Sequence, residues 1–257
     1  MRKIWSRILI VYIVYILFWL TEYPFLYWNT YLCRLWEWID PAYLLVFFVV
    51  GIVCCVWIGK QSFREFSSNI FNRESGIVLM INVVYALLVL EIGSFLGDYE
   101  INWAGVVYQS IFCIGCVGLT EEWIFRGFMG TQLRIVLKST RAVVLASSAL
   151  FAMMHLPTCF RWVMGPVSLG AVSARLLVPF LMGIVYSLIF IWKKNLFTLI
   201  IIHGEYDLIA EIAFDQWYYI AYAIYWAMMI IYVIYCYRTR AESADAPGCC
   251  TYETGRI

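Results

Sequence analysis

Apolar runs alternate with short polar segments along most of the chain. They cover approximately residues 8–20, 42–59, 77–96, 101–124, 142–156, 176–192, 196–213 and 217–237. Each can supply most of a membrane-spanning helix, which needs about 20 apolar residues. The fourth run is expected to continue as one long helix to about Arg134, because Gly127 and Gly130 are the only weak helix formers after the Glu-Glu-x-x-x-Arg stretch at 121–126. The pattern predicts an all-α fold, a polytopic membrane bundle of about eight transmembrane helices.

The composition agrees with this fold class. Apolar residues make up 64% of the chain and charged residues 14%, whereas soluble domains average roughly 45–50% and about 25%. The predicted spans occupy nearly all 257 residues, which leaves no room for a separate soluble domain. We therefore expect one transmembrane helical domain over residues 1–240, followed by a polar cytoplasmic tail over 241–257.

Basic residues are distributed unevenly over the predicted connections. With a cytoplasmic N-terminus and eight spans, 14 lysines and arginines fall on the inner side and 3 on the outer side, leaving Arg126 aside. The outer three are Arg34, Arg161 and Arg175. This asymmetry predicts that both termini are cytoplasmic.

A few polar side chains interrupt the apolar runs. Glu121, Glu122 and Arg126 lie in the fourth run, and the two histidines of the chain, His155 and His203, lie in two later runs. Counted at 1.5 Å per residue from the inner charges, Glu121, His155 and His203 lie roughly 20, 21 and 14 Å below the cytoplasmic boundary. These groups are expensive in a bilayer and mark functional sites. Their similar depth allows them to meet at one buried site.

Spacing along the helices adds a second constraint. Glu122 and Arg126 are four residues apart and share a helix face, as do His203 and Asp207. Arg126 can position a carboxylate, or the pair can be a structural salt bridge between helices. Glu205 is two residues from His203, so it faces another way, and we expect it in packing or at the lipid interface.

Three kinds of function remain open at this point. An ionised Glu121 in a dry site is costly, which makes it a candidate general base for a trapped water, with histidines donating to an oxyanion. Alternatively, Glu121, His155 and His203 can form a zinc site with an open position for water. A transporter, an ion pathway or a purely structural polar network would use the same residues.

The C-x-x-C pair Cys113 and Cys116 is interpreted as packing, because it lies in an apolar helix.

The order of the motifs supplies a family resemblance. The chain carries Glu-Glu-x-x-x-Arg at 121–126, Phe-x-x-x-His at 151–155 and His-x-x-x-Asp at 203–207. These motifs resemble those of the CPBP family of intramembrane proteases, which includes the type II CAAX prenyl endopeptidases and bacterial proteins of bacteriocin self-protection and peptide processing. The resemblance covers about residues 120–210, so the catalytic half would lie at about 101–213.

The resemblance implies a peptidase that needs no cofactor, with zinc as the older alternative. It implies that Glu121 activates a water, that His155 helps to position it, and that His203 and residue 207 form the oxyanion site. Glu122 and Arg126 would support them. The family often has Asn at the last position, and an ionised Asp207 cannot donate a hydrogen bond. We therefore favour a role for Asp207 in orienting His203.

The partners are predicted only by class. The substrate is expected to be a peptide precursor or a prenylated protein C-terminus, membrane lipid surrounds the protein, and no nucleic acid is involved. The small size favours a bacterial cell-membrane protein that processes peptides, and the oligomeric state stays open. The alternative is a non-catalytic membrane protein, a transporter or bacteriocin immunity factor, that keeps the same polar network.

Overall fold

The computed structural model describes residues 2–31, 46, 49–50, 53, 56, 73–97, 100–156, 169–213 and 215–244. Over these residues the regular secondary structure is entirely helical. The helices are α1 (Arg2–Tyr31), α2 (Arg73–Gly97), α3 (Trp103–Leu137), α4 (Thr140–Met154), α5 (Leu169–Lys193), α6 (Leu196–Ile212) and α7 (Asp215–Ala244).

Seven of the eight predicted apolar runs each fall on one of these helices, and several of the helices, α1 most of all, extend well beyond the run. The remaining run, 42–59, falls mostly outside the described residues. In the described part of the chain, four helices contain segments long and apolar enough to cross a membrane: Arg73–Gly97, Trp103–Leu137, Val172–Lys193 and Trp217–Thr239. The all-helical membrane fold is thus confirmed, whereas eight spans and cytoplasmic termini stay predictions.

The turns between α3 and α4 and between α5 and α6 have the same backbone conformation and the same kind of cap. Lys138 and Lys194 end α3 and α5 with a positive φ of 55° each, a left-handed conformation that terminates a helix. The next residue in each case caps the following helix: Ser139 Oγ accepts from Ala142 N at 3.5 Å, and Asn195 Oδ1 accepts from Thr198 N at 3.2 Å. The two-residue turns make α3 and α4, and α5 and α6, consecutive neighbours in the bundle.

Two hydrophobic clusters build the core. One contains buried side chains of α1, α3 and α4, among them Val11, Phe125 and Phe151. The other joins α2, α5, α6 and α7, with Tyr186 and Ile209 as members. Many apolar side chains on the outer faces are exposed, as expected of helices that contact lipid. The predicted polar residues of α3 and α6 lie where the two clusters meet.

Candidate active site

The long helix α3 is irregular around the two glutamates. It contains π-helical stretches at Ile111–Gly118 and Trp123–Gly130, separated by the α-helical turn Leu119–Glu122. The predicted single helix through Arg134 is confirmed, but its periodicity gave no sign of the π geometry. Such wide turns are rare and often occur at functional sites. Here they flank the turn that carries Glu121 and Glu122.

Two glycines bring α3 and α6 into backbone contact. A Cβ atom on Gly118 would lie 2.8 Å from the Ile200 carbonyl oxygen and 3.2 Å from Gly204 N. A Cβ atom on Gly204 would overlap the Cα of Ile114. Small residues permit this close approach between membrane helices. Since Gly204 follows His203, the crossing places that imidazole next to the glutamates of α3.

The nearby Cys113 and Cys116 are buried free thiols, in agreement with their predicted packing role.

Glu122 is the centre of the polar cluster. Its Oε1 accepts from Arg126 Nη1 at 2.8 Å and pairs with His203 Nδ1 at 2.7 Å. Its side chain has no exposed surface, and those of Arg126 and His203 are 1% and 5% exposed. Short contacts between charged groups are the stronger kind of hydrogen bond. Glu122 therefore fixes both the guanidinium and the imidazole.

Aromatic rings enclose the buried guanidinium. Arg126 Cζ lies 4.3 Å from the centroid of the Phe151 ring and 5.3 Å from that of Tyr186. Both rings also contact the imidazole of His203, with centroid distances of 5.7 and 5.4 Å. Cation–π contacts of desolvated groups are worth about 2 kcal/mol. The rings from α4 and α5 thus close the site around Arg126 and His203.

Glu121 is much less engaged than its neighbour. Its Oε2 lies 3.7 Å from His203 Nε2, and within the described residues this buried oxygen has no hydrogen-bond partner. Its Oε1 accepts from the Tyr15 hydroxyl at the long distance of 3.5 Å. Asp207 Oδ2 lies on the same edge of the imidazole, also 3.7 Å from Nε2. These separations are too long for direct hydrogen bonds and suit a bridging water.

His155 lies beside this cluster, at the end of α4. Its Nδ1 is 3.0 Å from the Phe151 carbonyl oxygen. Its ring is 5.1 Å from that of Phe151, the residue that also contacts His203. The structure thus brings Glu121, Glu122, Arg126, His203 and Asp207 together and places His155 next to them against the Phe151 ring.

Two predictions about individual side chains need correction. The i,i+4 spacing does place Asp207 near His203, but the short contact to the imidazole comes from Glu122 on another helix, so Asp207 does not orient His203 by a direct hydrogen bond. Glu205 is 1% exposed, so the lipid-interface alternative is wrong and the packing alternative fits. Helical spacing shows which residues share a face, but it cannot show which neighbouring helix covers that face.

The alternative zinc ligands, Glu121, His155 and His203, are not arranged as a metal site. Among the described residues, no group of three or more His, Cys, Asp and Glu side chains is placed to hold a metal ion. His203 Nδ1 is paired with Glu122 at 2.7 Å, so Nε2 is the nitrogen of this residue that could face a metal.

Tyr15 was missed by the sequence analysis. It lies on α1, is fully buried and packs edge-on against Phe125 with ring centroids 6.3 Å apart. A tyrosine in an aromatic-rich apolar run carries no distinguishing signal. Only the packing of α1 against α3 shows that its hydroxyl reaches Glu121.

A buried cluster of acids, arginine and histidine inside apolar helices defines an integral membrane protein with an enzyme-like site. Residues 102–209 match the family model described as Type II CAAX prenyl endopeptidase Rce1-like. The match confirms the resemblance predicted from the motifs and supports a peptidase at the level of the family. It begins just before α3 and ends within α6, so it includes all six predicted site residues and leaves out α1, α2 and α7. Comparisons with curated proteins and with solved structures gave no match.

Proposed function

We propose that this protein is an intramembrane endopeptidase in which Glu121 activates the water that attacks the peptide bond. The observation that carries the proposal is the contrast between two adjacent glutamates. Among the described residues both glutamates keep a buried Oε2 without a hydrogen-bond partner, but Glu122 is fixed through Oε1 by two contacts shorter than 3 Å, whereas Oε2 of Glu121 faces His203 Nε2 across 3.7 Å. A general base must have a free oxygen within reach of the water proton. Glu121 meets that condition with the oxygen that lies beside His203 Nε2.

Each residue of the site has a separate role in the proposed hydrolysis. Glu121 takes a proton from the water as the water oxygen bonds to the peptide carbonyl carbon. His203 is held by Glu122 so that Nε2 faces the reacting groups, and its protonated form donates to the oxyanion. The C–N bond then breaks, and the proton held by Glu121 passes to the departing amine. His155 and Phe151 line the site, and Arg126 keeps Glu122 in place.

Asp207 is more exposed than the buried glutamates. Its side chain is 33% exposed, against 2% for Glu121, so it borders the open side of the cluster. We propose that it contacts the bridging water beside Nε2 and does not orient the imidazole. This role replaces the one favoured from the i,i+4 spacing.

The proposed substrate is a prenylated protein C-terminus or a small peptide precursor, and the family match favours the first. The wider proposal retains one membrane domain over residues 1–240, eight spans with cytoplasmic termini and a bacterial cell membrane. Incubation of the purified protein in lipid nanodiscs with a prenylated CAAX peptide and its unprenylated counterpart tests the activity. We expect mass spectrometry to detect cleavage of the prenylated peptide. No cleavage of either peptide or of a panel of precursor peptides would contradict the proposal.

Chelation is expected to leave most of the activity intact. The described donors do not form a metal site, and the proposed base acts directly on water. The measurement is the initial rate after dialysis against EDTA, together with the zinc content of the same sample. Stoichiometric zinc, with activity lost on chelation and restored by zinc alone, would show that a metal activates the water.

The Tyr15→Phe substitution is expected to lower kcat about three- to tenfold with little change in KM. The phenyl ring keeps the packing against Phe125, but Glu121 loses its neutral hydroxyl donor, a contact worth about 0.5–1.5 kcal/mol. Tyr12→Phe is the matched control, because it removes a hydroxyl on the same helix that donates to the Leu150 carbonyl at 3.0 Å. Equal effects of both variants on kcat would indicate only a structural role for Tyr15.

A further inference from the structure

A cavity lies between α2 and α7, and none of the six candidate site residues lines it. Its volume is about 720 Å³, and we call it the α2–α7 groove. Its walls include Ile77, Ile81, Met228 and Met229. Ile77 and Ile81 are 44% and 47% exposed, so in a membrane the groove opens sideways to lipid. A ligand can therefore enter from the bilayer without crossing water.

One end of the groove is charged and lies at the ends of three candidate spans. These spans begin at Arg73 and end at Lys193 and Thr239. Arg73 and Glu74 line the groove, and Lys193 bonds Glu74 at 3.2 Å and Thr239 Oγ1 at 2.9 Å. This end of the bundle is thus at the level where lipid headgroups meet the hydrocarbon.

The described side chains at the charged end of the groove carry a net positive charge. Glu74 is neutralised by Lys193, and its other contact is the hydroxyl of Tyr232, which donates at 2.9 Å. Arg73 is exposed, and among the described residues no hydrogen bond or ion pair is recorded for its side chain. An unneutralised arginine above an apolar groove complements a molecule with an anionic head and a long apolar chain.

The inner end of the groove reaches the wall of the candidate active site. Tyr225 lines the groove, and its hydroxyl donates to the Ile202 carbonyl at 2.9 Å and lies 3.2 Å from the hydroxyl of Tyr186. Tyr186 packs against the imidazole of His203. Asn82, a polar group 7% exposed, lines the groove roughly 13 Å from Arg73 along α2. The groove is therefore apolar over about half the hydrocarbon thickness.

We propose that the α2–α7 groove binds one anionic phospholipid of the surrounding membrane. An acyl chain lies along Ile77, Ile81 and the methionines, and the phosphate is bound by Arg73. This inference does not depend on the proposed peptidase, because it concerns a separate cavity and a ligand that is not cleaved. The polar tail 245–257 of the chain does not suit an apolar groove.

Native mass spectrometry of the full chain tests the proposal. The protein is released from nanodiscs containing equal amounts of phosphatidylglycerol and phosphatidylcholine with identical acyl chains. We expect one retained lipid per protein, with phosphatidylglycerol favoured about fivefold, as one basic contact predicts. The Ile81→Trp substitution should reduce retention at least tenfold by filling the groove. Met80→Trp is its control, because Met80 is adjacent, 61% exposed and outside the groove lining.

The headgroup contact is tested without disturbing the core. Arg73→Gln should abolish the preference for phosphatidylglycerol, whereas Arg2→Gln, at the first residue of α1, should keep it. Retention that is equal in Ile81→Trp and wild type would overturn the proposal, as would an unchanged preference in Arg73→Gln. Stable retention of an added isoprenoid alcohol in place of phospholipid would assign the groove to prenyl chains and overturn it as well.

Discussion

The Glu121→Gln variant is expected to lose at least about a hundredfold in kcat, while its thermal stability stays close to that of wild type. An amide keeps the shape of the side chain but cannot accept the water proton, and removal of a positioned base typically reduces the rate by 10²–10⁴-fold. The contacts of Glu121 are long, 3.5 Å to Tyr15 and 3.7 Å to His203, so the fold loses little.

Glu205→Gln is the matched control for this experiment. Glu205 is an equally buried acid on α6, two residues from His203 but outside the cluster. We expect it to keep its activity, which shows that loss in Glu121→Gln is not a general effect of removing a buried charge. Full peptidase activity of well-folded Glu121→Gln would remove Glu121 as the base. Retention of the biological function by this variant would favour the non-catalytic alternative.

The largest loss of stability is expected for Glu122→Ala. This substitution leaves the guanidinium of Arg126 and Nδ1 of His203 buried without their shared acceptor. Removing one partner of a buried ion pair lowers the free energy of unfolding by about 3–5 kcal/mol. The measurement is reversible unfolding in mixed micelles. Glu121→Ala, the same change at the adjacent position, should destabilise far less.

A double variant distinguishes the loss of stability caused by the unpaired charge from the loss caused by altered packing. In Glu122→Ala combined with Arg126→Met, the uncompensated guanidinium is replaced by an apolar chain that can stay between Phe151 and Tyr186. Part of the lost stability should return, because a buried pair can often be replaced by apolar groups. Equal stability of Glu122→Ala and Glu121→Ala would contradict the central role given to Glu122.

Much of this arrangement follows from local patterns. The apolar runs predicted the helices, including the long α3, and the similar depth of the polar groups in three helices predicted that Glu121 and His203 meet. The pair of Glu122 and Arg126 follows from the i,i+4 rule and is present at 2.8 Å. These features depend only on residues near one another in the chain or on their distance from a helix end.

The features of the site that the sequence did not predict are contacts between different helices. The partner of His203 Nδ1 depends on the crossing of α3 and α6 at Gly118 and Gly204, and Gly118 is the last residue of a π-helical stretch of α3. Neither follows from spacing within one helix. The hydroxyl of Tyr15 reaches Glu121 from α1, which lies outside the segment that matches the family model. Family motifs therefore indicate the candidate reacting groups but not all the residues that contact them.

Cleavage of a prenylated peptide in H₂¹⁸O under single-turnover conditions tests the central claim most directly. If Glu121 activates water, the new carboxylate of the product carries one ¹⁸O atom and the protein carries none. Attack by Glu121 itself would form an anhydride with the substrate acyl group, and hydrolysis of that anhydride at the Glu121 carbonyl carbon would place ¹⁸O in the Glu121 side chain. Mass spectrometry of the peptide product and of the protein fragment containing Glu121 distinguishes these results, and label in that fragment would contradict the account.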